Sequence, residues 1–193
     1  MLKSLFLTAL ALVIALGGGA GSVWLALDSD FEFDTIEVGD WTAFPTRGTP
    51  DADPYSKARF SRTADLLLGR GEGLTFTAKR DSNGFPLSGA CSYRLEGPTP
   101  PARFWTLYAR DEDGRVIDMP GNRAAALHSY AVLRQEDQTI VTRVSAHPQP
   151  GNWLPVKTAE FLLVLSLYDT AISSSSRIGE VVLPRIVREA CDG

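Results

Sequence analysis

The side chains that could do chemistry are few. The chain has two histidines, His128 and His147. They are separated by a predicted strand and turn, without the i, i+4 spacing that puts two imidazoles on one zinc ion. No Gly-x-Ser-x-Gly elbow, Ser-x-x-Lys pair or phosphate loop with its lysine occurs. Asp111-Glu112-Asp113-Gly114 has the oxygens of a calcium loop, yet it lacks the bidentate glutamate that an EF-hand places downstream, and its residues are those a hairpin turn uses. What remains is Arg123, where a guanidinium could clamp a carboxylate or phosphate or else bond loop carbonyls. Beside it stand His147, a general base or a strand end, and the pair Asn152 and Trp153, a ligand shelf or a turn bond and a core plug. Arg123, His147, Asn152 and Trp153 are therefore the candidate binding residues. No catalytic set, metal site or cofactor is implied.

These residues need a frame. His147 closes a predicted strand, Pro148 to Pro155 forms a rigid turn, and the apolar run Phe161 to Tyr168 follows. Upstream, Leu74, Phe76 and Ala78 alternate with polar neighbours, and so do Cys91, Tyr93 and Leu95, the period of half-buried strands. Phe104 to Tyr108 is apolar on both faces, as a central strand would be. Further strands are expected at Ser129 to Arg134, Thr139 to Ala146 and Glu180 to Leu183. One soluble helix is expected near residues 54–68, with Asp53 as N-cap, Pro54 at the first helical position and Gly69 as the stop. Its Lys57, Arg59 and Arg62 read as a solvated face, with an anion or lipid-headgroup patch as the other reading. Many short strands with turn signals and one soluble helix predict a mainly β chain, a jelly-roll-like β-sandwich.

The N-terminus is of another kind. Ser4 to Leu27 carries no charge, and as a helix it is roughly 36 Å long, enough for a hydrocarbon core about 30 Å thick. Lys3 precedes it, and Asp28, Asp30, Glu32, Asp34, Glu37 and Asp40 follow. That asymmetry predicts a single-pass inner-membrane protein with a cytoplasmic N-terminus and a periplasmic C-terminal domain. A cleaved signal peptide is the competing reading. The expected organisation is an anchor over 1–27, a tether over 28–52 and a β-sandwich domain over 53–193. The net charge of −4 argues against nucleic acid as a partner. An oxidising compartment and an even count of cysteines predict a bond between Cys91 and Cys191, the alternatives being two free thiols or pairing with another chain.

One resemblance adds to this. Asp53-Pro54-Tyr55, Glu72-Gly73-Leu74 with Phe76-Thr77-Ala78, Cys91 and Tyr93, Phe104 to Tyr108, Gly121-Asn122-Arg123, Pro150 to Pro155 and Leu167-Tyr168-Asp169 together resemble the domain-of-unknown-function 1214 family, in its short membrane-anchored bacterial form. The resemblance implies a jelly-roll-like sandwich facing the periplasm and no agreed activity. It also implies association with a second uncharacterised domain, numbered 1254. Where longer relatives are expected to carry an aromatic after the Asn-Arg pair, Ala124 to Ala126 stand here. Two functions follow as expectations: a binding or envelope-assembly module, working with a protein partner or as a homo-oligomer, or a periplasmic hydrolase with a site near Arg123, His147 and Asn152.

Overall fold

The computed structural model describes residues 2–28, 35–46, 48–63, 68–69, 71–111, 113–117, 125–157, 159–174 and 178–191. These fall into two units. The first holds two helices. Helix α1, Leu2–Asp28, contains the predominantly apolar stretch Leu2–Leu25, uncharged after Lys3 and long enough to cross a bilayer. Helix α2, Pro54–Thr63, opens on Asp53, whose Oδ1 accepts hydrogen bonds from the backbone N–H groups of Tyr55 and Ser56 at 2.9 and 3.0 Å. That is the N-cap read from the sequence. The expected end of this helix lies outside the described residues over 64–67. Gly69 is not its left-handed stop. Its carbonyl instead accepts the N–H groups of Glu72 and Gly73, in the turn that leads into the sheet.

The second unit is a β-sandwich of two sheets. Its strands are β1 Ile36–Val38, β2 Trp41–Ala43, β3 Gly73–Ala78, β4 Cys91–Glu96, β5 Phe104–Arg110, β6 Ala126–His128, β7 Thr142–Ser145, β8 Asn152–Pro155, β9 Leu162–Tyr168 and β10 Arg185–Cys191. The larger sheet has the order β1-β2-β3-β9-β5-β6 and the smaller β10-β4-β7-β8. In the larger sheet the register stacks the apolar residues in rows: Leu74, Leu167 and Trp105; Phe76, Leu165 and Leu107; Ala78, Leu163 and Ala109. All nine are buried. Tyr93, Leu95, Val144, Leu154 and Ile186 supply the buried side chains of the smaller sheet. Each large side chain so enclosed contributes about 2 kcal/mol by removing its surface from water.

Several elements differ from expectation. The segment composed like a tether contains the hairpin β1-β2, which pairs with β3 and buries Trp41 to 1 % exposure. Its signal was present in Ile36-Glu37-Val38-Gly39-Asp40-Trp41, an alternating run broken by a two-residue turn with Gly39 at φ +60°. The strand buried on both faces is β9, between β3 and β5, whereas β5 alternates half-buried and buried residues. Residues 129–131 form a turn after β6, closed by the Ala131 N–H on the His128 carbonyl, and residues 132–134 continue without regular structure in place of the expected strand. Glu180 ends a short 3-10 helix, Ile178–Glu180, and the last strand starts later, at Arg185. Gly73 is required by packing, because a Cβ there would lie 2.0 Å from the Leu167 carbonyl oxygen.

The exposed strand edges are short or occupied. β10 would offer a free edge at Ile186, but the Ile186 N–H donates to Asp40 Oδ2 at 2.9 Å and its carbonyl accepts the Ser82 N–H at 2.9 Å. β1 and β6 have three residues each. β8 ends on Pro155, which has no N–H to offer. Such edges resist strand-by-strand association.

Candidate functional site

The turn that carries His147, Asn152 and Trp153 is an unusual connection. It joins β7 to β8, which pair in parallel with Thr142 opposite Asn152 and Ser145 opposite Pro155. Parallel neighbours usually need a crossover of a dozen or more residues. Here residues 146–151 suffice, because strands of four residues require the chain to double back only about 10 Å. Prolines at 148 and 150 and a left-handed Gly151, φ +83°, set that path.

Internal bonds brace the loop. Trp153 Nε1 donates to both the carbonyl oxygen and Oγ of Ser145 at 3.1 Å, and Ser145 Oγ donates to the His147 carbonyl at 2.6 Å. Arg143 donates to the Pro150 carbonyl at 3.2 Å. Trp153 is half-buried, and the residue that fills the core is its neighbour Leu154, at 0 % exposure. Asn152 is buried and wholly engaged: Oδ1 accepts the Leu133 N–H at 2.7 Å, while Nδ2 donates to the carbonyls of Leu133 at 2.8 Å and Val141 at 3.0 Å. Its amide fastens the 133–141 segment to β8, a backbone-bonding role of the kind read from the sequence. His147 is exposed at the loop's rim. Arg123 lies outside the described residues. The structure thus brings His147 and Trp153 to one loop, turns Asn152 inward to the backbone, and forms no convergent constellation from these three.

Asp111 and Gly114 do form a turn. The Gly114 N–H donates to the Asp111 carbonyl, the Arg115 N–H donates to Asp111 Oδ1 at 2.7 Å, and Gly114 has φ +84°. The carboxylate is engaged with backbone, as in a hairpin turn. Among the described residues no three His, Cys, Asp or Glu side chains gather as a metal site would require. A cavity of about 20 Å³ between the sheets, lined by Trp41, Thr99, Trp105 and Thr142 among others, has room for a single water.

Two polar features escaped the sequence reading. One is the group around Asp81. Its Oδ1 accepts the N–H groups of Asn83 and Phe85 at 3.0 Å, and its Oδ2 lies 2.7 Å from Arg188 Nε, off the line of a good hydrogen bond, so that charge holds the pair. Arg188 also donates to the Pro86 carbonyl at 3.0 Å and lies over the rings of Phe85 and Tyr93, at 5.1 and 5.6 Å. Nearby, Asp40 binds Ser82 Oγ as well as the Ile186 N–H. The other is an aromatic cluster at the opposite end of the larger sheet. Phe104 lies 5.5 Å from Tyr130, 5.6 Å from Tyr168 and 5.8 Å from His128, ring centre to ring centre. The Tyr130 hydroxyl donates to the Arg103 carbonyl at 3.3 Å, and its side chain is 77 % exposed. Leu133, whose backbone Asn152 clamps, is 68 % exposed. A tyrosine and a leucine are thus held outward by braced neighbours, and the sequence hinted at it only through large apolar residues in a turn.

The Cys91–Cys191 disulfide is formed, joining the directly paired ends of β4 and β10. Cys91 is buried and Cys191 exposed.

Comparison with known proteins yields few relatives. No curated protein matches the sequence. Among solved structures, the VPA0106 protein from Vibrio parahaemolyticus is similar at 20 % identity with a TM-score of 0.59, over 95 % of this chain and 45 % of that one. An uncharacterized protein from Burkholderia cenocepacia is similar at 16 % identity with a TM-score of 0.45, over 94 % of this chain and 51 % of that one. The chain therefore spans about half the length of these two structures, and the likeness to the Vibrio protein is one of fold. The family model described as "Protein of unknown function (DUF1214)" matches residues 72–172, from the turn before β3 to the segment after β9. Since that match takes in more than half of the chain and all the central strands of the larger sheet, the chain belongs to the DUF1214 family.

Proposed function

We propose that this protein is a membrane-anchored, exported β-sandwich that acts as a binding or envelope-assembly module. The observation that carries the reading is the Cys91–Cys191 bond on a chain that also has the apolar stretch Leu2–Leu25. Stable disulfides belong to oxidising compartments, and an apolar N-terminal helix is what takes a domain there, as an anchor or as a signal sequence. The retained anchor is the reading adopted here, with the N-terminus cytoplasmic and the sandwich periplasmic. Binding is favoured over hydrolysis because Asn152 is fully engaged with backbone and Trp153 with Ser145, whereas Tyr130 and Leu133 stand out in solvent. A protein carrying the uncharacterised 1254 domain is the proposed partner. The length of the Vibrio structure beyond the part matched here is consistent with a second domain accompanying this one in longer proteins.

The test is a pair of fusions after Gly193. A reporter active only in the periplasm should be active and a cytoplasmic one silent, and the protein should co-purify from mild detergent with a defined partner. The reverse reporter pattern sinks the reading.

A further inference from the structure

The two halves of β10 are held unlike one another. Toward its start, Ile186 is wholly buried, its N–H donates to Asp40 Oδ2 at 2.9 Å and to Ser82 Oγ at 3.1 Å, and its carbonyl accepts the Ser82 N–H at 2.9 Å. Arg188 faces the enclosed Asp81 carboxylate at 2.7 Å and donates to the Pro86 carbonyl at 3.0 Å. Between Arg188 and Ala190 the ladder with β4 shifts register, and it resumes with Ala190 opposite Ser92 and Cys191 opposite Cys91. Glu189, Ala190 and Cys191 are all exposed. Besides the ladder, this half has the ion pair of Glu189 with Arg94, whose side chains are 37 % and 35 % exposed, and a 3.3 Å hydrogen bond from Ser92 Oγ to the Ala190 carbonyl. Exposed bonds of that kind contribute little. The stretch 189–191 is therefore the part of the strand that opens most easily, and the disulfide closes it.

The two sulfurs of that bond are not equivalent. Cys91 belongs to the core and is 8 % exposed, whereas Cys191 is exposed. Thiol–disulfide exchange is the attack of a thiolate on one sulfur, in line with the S–S bond, and access decides which sulfur is attacked. Only Cys191 lies on a solvent-exposed segment that can move, so an incoming thiolate bonds to Cys191 Sγ and Cys91 is the leaving group. A thiolate that departs into apolar surroundings departs slowly, which lowers the rate without redirecting the attack.

We infer that Cys191 Sγ is the thiol-exchange site of this domain, the atom through which a dithiol–disulfide oxidoreductase opens and closes the Cys91–Cys191 bond. In the reducing direction the enzyme's first thiolate bonds to Cys191 Sγ as the Cys91–Cys191 bond breaks. The electron pair of that bond departs on Cys91 Sγ, which takes a proton. Opening at 189–191 carries the mixed disulfide away from Cys91 and delays the reverse attack. The enzyme's second thiolate then attacks the enzyme's own sulfur in the mixed disulfide, Cys191 departs with the electron pair and takes a proton, and the enzyme is left as a disulfide. Two electrons and two protons have passed to the cysteine pair. Oxidation runs the same steps backwards: Cys191 attacks the enzyme's disulfide, and Cys91 resolves the mixed disulfide and closes the strand.

The experiment treats the full oxidised chain, in mild detergent, with reduced glutathione as the probe. Samples are quenched in acid, which removes the thiolates and stops exchange, then digested with pepsin at the same pH so that mass spectrometry locates the adduct. Early glutathione adducts should sit on the fragment that carries Cys191, while the fragment with Cys91 carries a free thiol. The adduct should appear at the same rate across low urea concentrations, because the attack requires no global unfolding. Adduct on Cys91, or an equal share on both cysteines, overturns the assignment. A rate that climbs with urea in step with global unfolding overturns it too, as does a chain that yields no adduct until it unfolds. Reduction by a thioredoxin-type dithiol protein should outpace reduction by glutathione at the same thiol concentration, and no acceleration overturns the enzyme as the reactant.

Discussion

The two ends of the sandwich treat their polar residues differently. At the end that holds Asp81, the carboxylate is enclosed, accepts two backbone N–H groups and faces an arginine held between two rings. Asp40 ties the turn of the first hairpin to β10, and Trp41 Nε1 donates to the Pro184 carbonyl at 2.7 Å in the same service. At the other end the ion pair of Arg103 and Asp169 is long and open to water, and Tyr130 stands outside. Both ends carry an arginine, an aspartate and aromatic rings. Only burial separates them, and burial decides whether such a set fastens the fold or is free to meet something else.

The strongest fastening is covalent and should give the largest effect. The Cys91–Cys191 bond closes a loop with a sequence separation of 100. A loop of that length removes about 4.7 kcal/mol of chain entropy from the unfolded state by the loop-closure relation, an upper figure for measured gains. The double variant Cys91→Ser/Cys191→Ser should unfold at clearly lower denaturant than the oxidised wild type, and at the same concentration as the reduced wild type. A midpoint unchanged by reduction would mean that β10 is held by its ladder with β4 and by the bonds to Asp40, Ser82 and Asp81, without help from the covalent link.

A sharper break of the comparison uses the two ion pairs. Asp81→Ala should cost about 3 kcal/mol, the lower part of the range for breaking a buried pair, because Arg188 keeps some access to water. Asp169→Asn, which removes the charge and keeps a residue type that tolerates the left-handed φ of +48° at this position, should change stability by less than about 0.5 kcal/mol, as exposed pairs do. Chemical denaturation of the two variants checks both, and equal losses would erase the distinction between the ends.

How much of this was legible in the sequence follows the same line. The strands β3, β4, β5 and β9, the aspartate-glycine turns, the Asp53 cap and the disulfide were readable, because alternation, turn chemistry and compartment are local or compositional signals. The hairpin β1-β2 was hidden by its acidic flanks, and β10 by a sequence, Arg185-Ile186-Val187-Arg188-Glu189, whose alternation is broken where Arg188 turns inward to Asp81. No spacing rule links residues 40, 81 and 188, which meet only through tertiary structure. Asn152 was readable both as a ligand shelf and as a bond to the turn backbone. A buried amide in a proline-rich loop attracts a functional reading, yet its hydrogen bonds run to the backbone of Leu133 and Val141, partners that no local pattern reveals.

That assignment gives a smaller and specific effect. Asn152→Ala leaves one enclosed N–H and two carbonyls without their partner and should cost about 2 kcal/mol, whereas Trp153→Ala, at a half-buried position, should cost less. Amide exchange at Leu133 should quicken in the first variant and not in the second. If Trp153→Ala were the more damaging, the indole and not Leu154 would be filling the core at this turn.

The smallest effect concerns helix α2 and pH. Asp53 is held below the ordinary carboxylate value of 3.8, by the Ser56 hydroxyl first, then by the Ser56 N–H and with it the Tyr55 N–H. A carboxyl whose pKa is lowered on folding contributes stability that is fully present above its unfolded value and lost as pH falls through the folded one. The cap should therefore be intact from neutrality down to about 3.8 and weaken only below it. Protonation leaves a poorer acceptor for the first-turn N–H groups, and the negative charge at the positive end of the helix disappears with it. Amide protection factors across Pro54–Thr63, corrected for intrinsic exchange, should be flat over the upper range and drop at acid pH. The variant Asp53→Asn keeps a capping oxygen but has no carboxyl to titrate at that position, so its profile should stay flat through the acid range. A drop of equal size in that variant would place the acid sensitivity of the helix outside its cap.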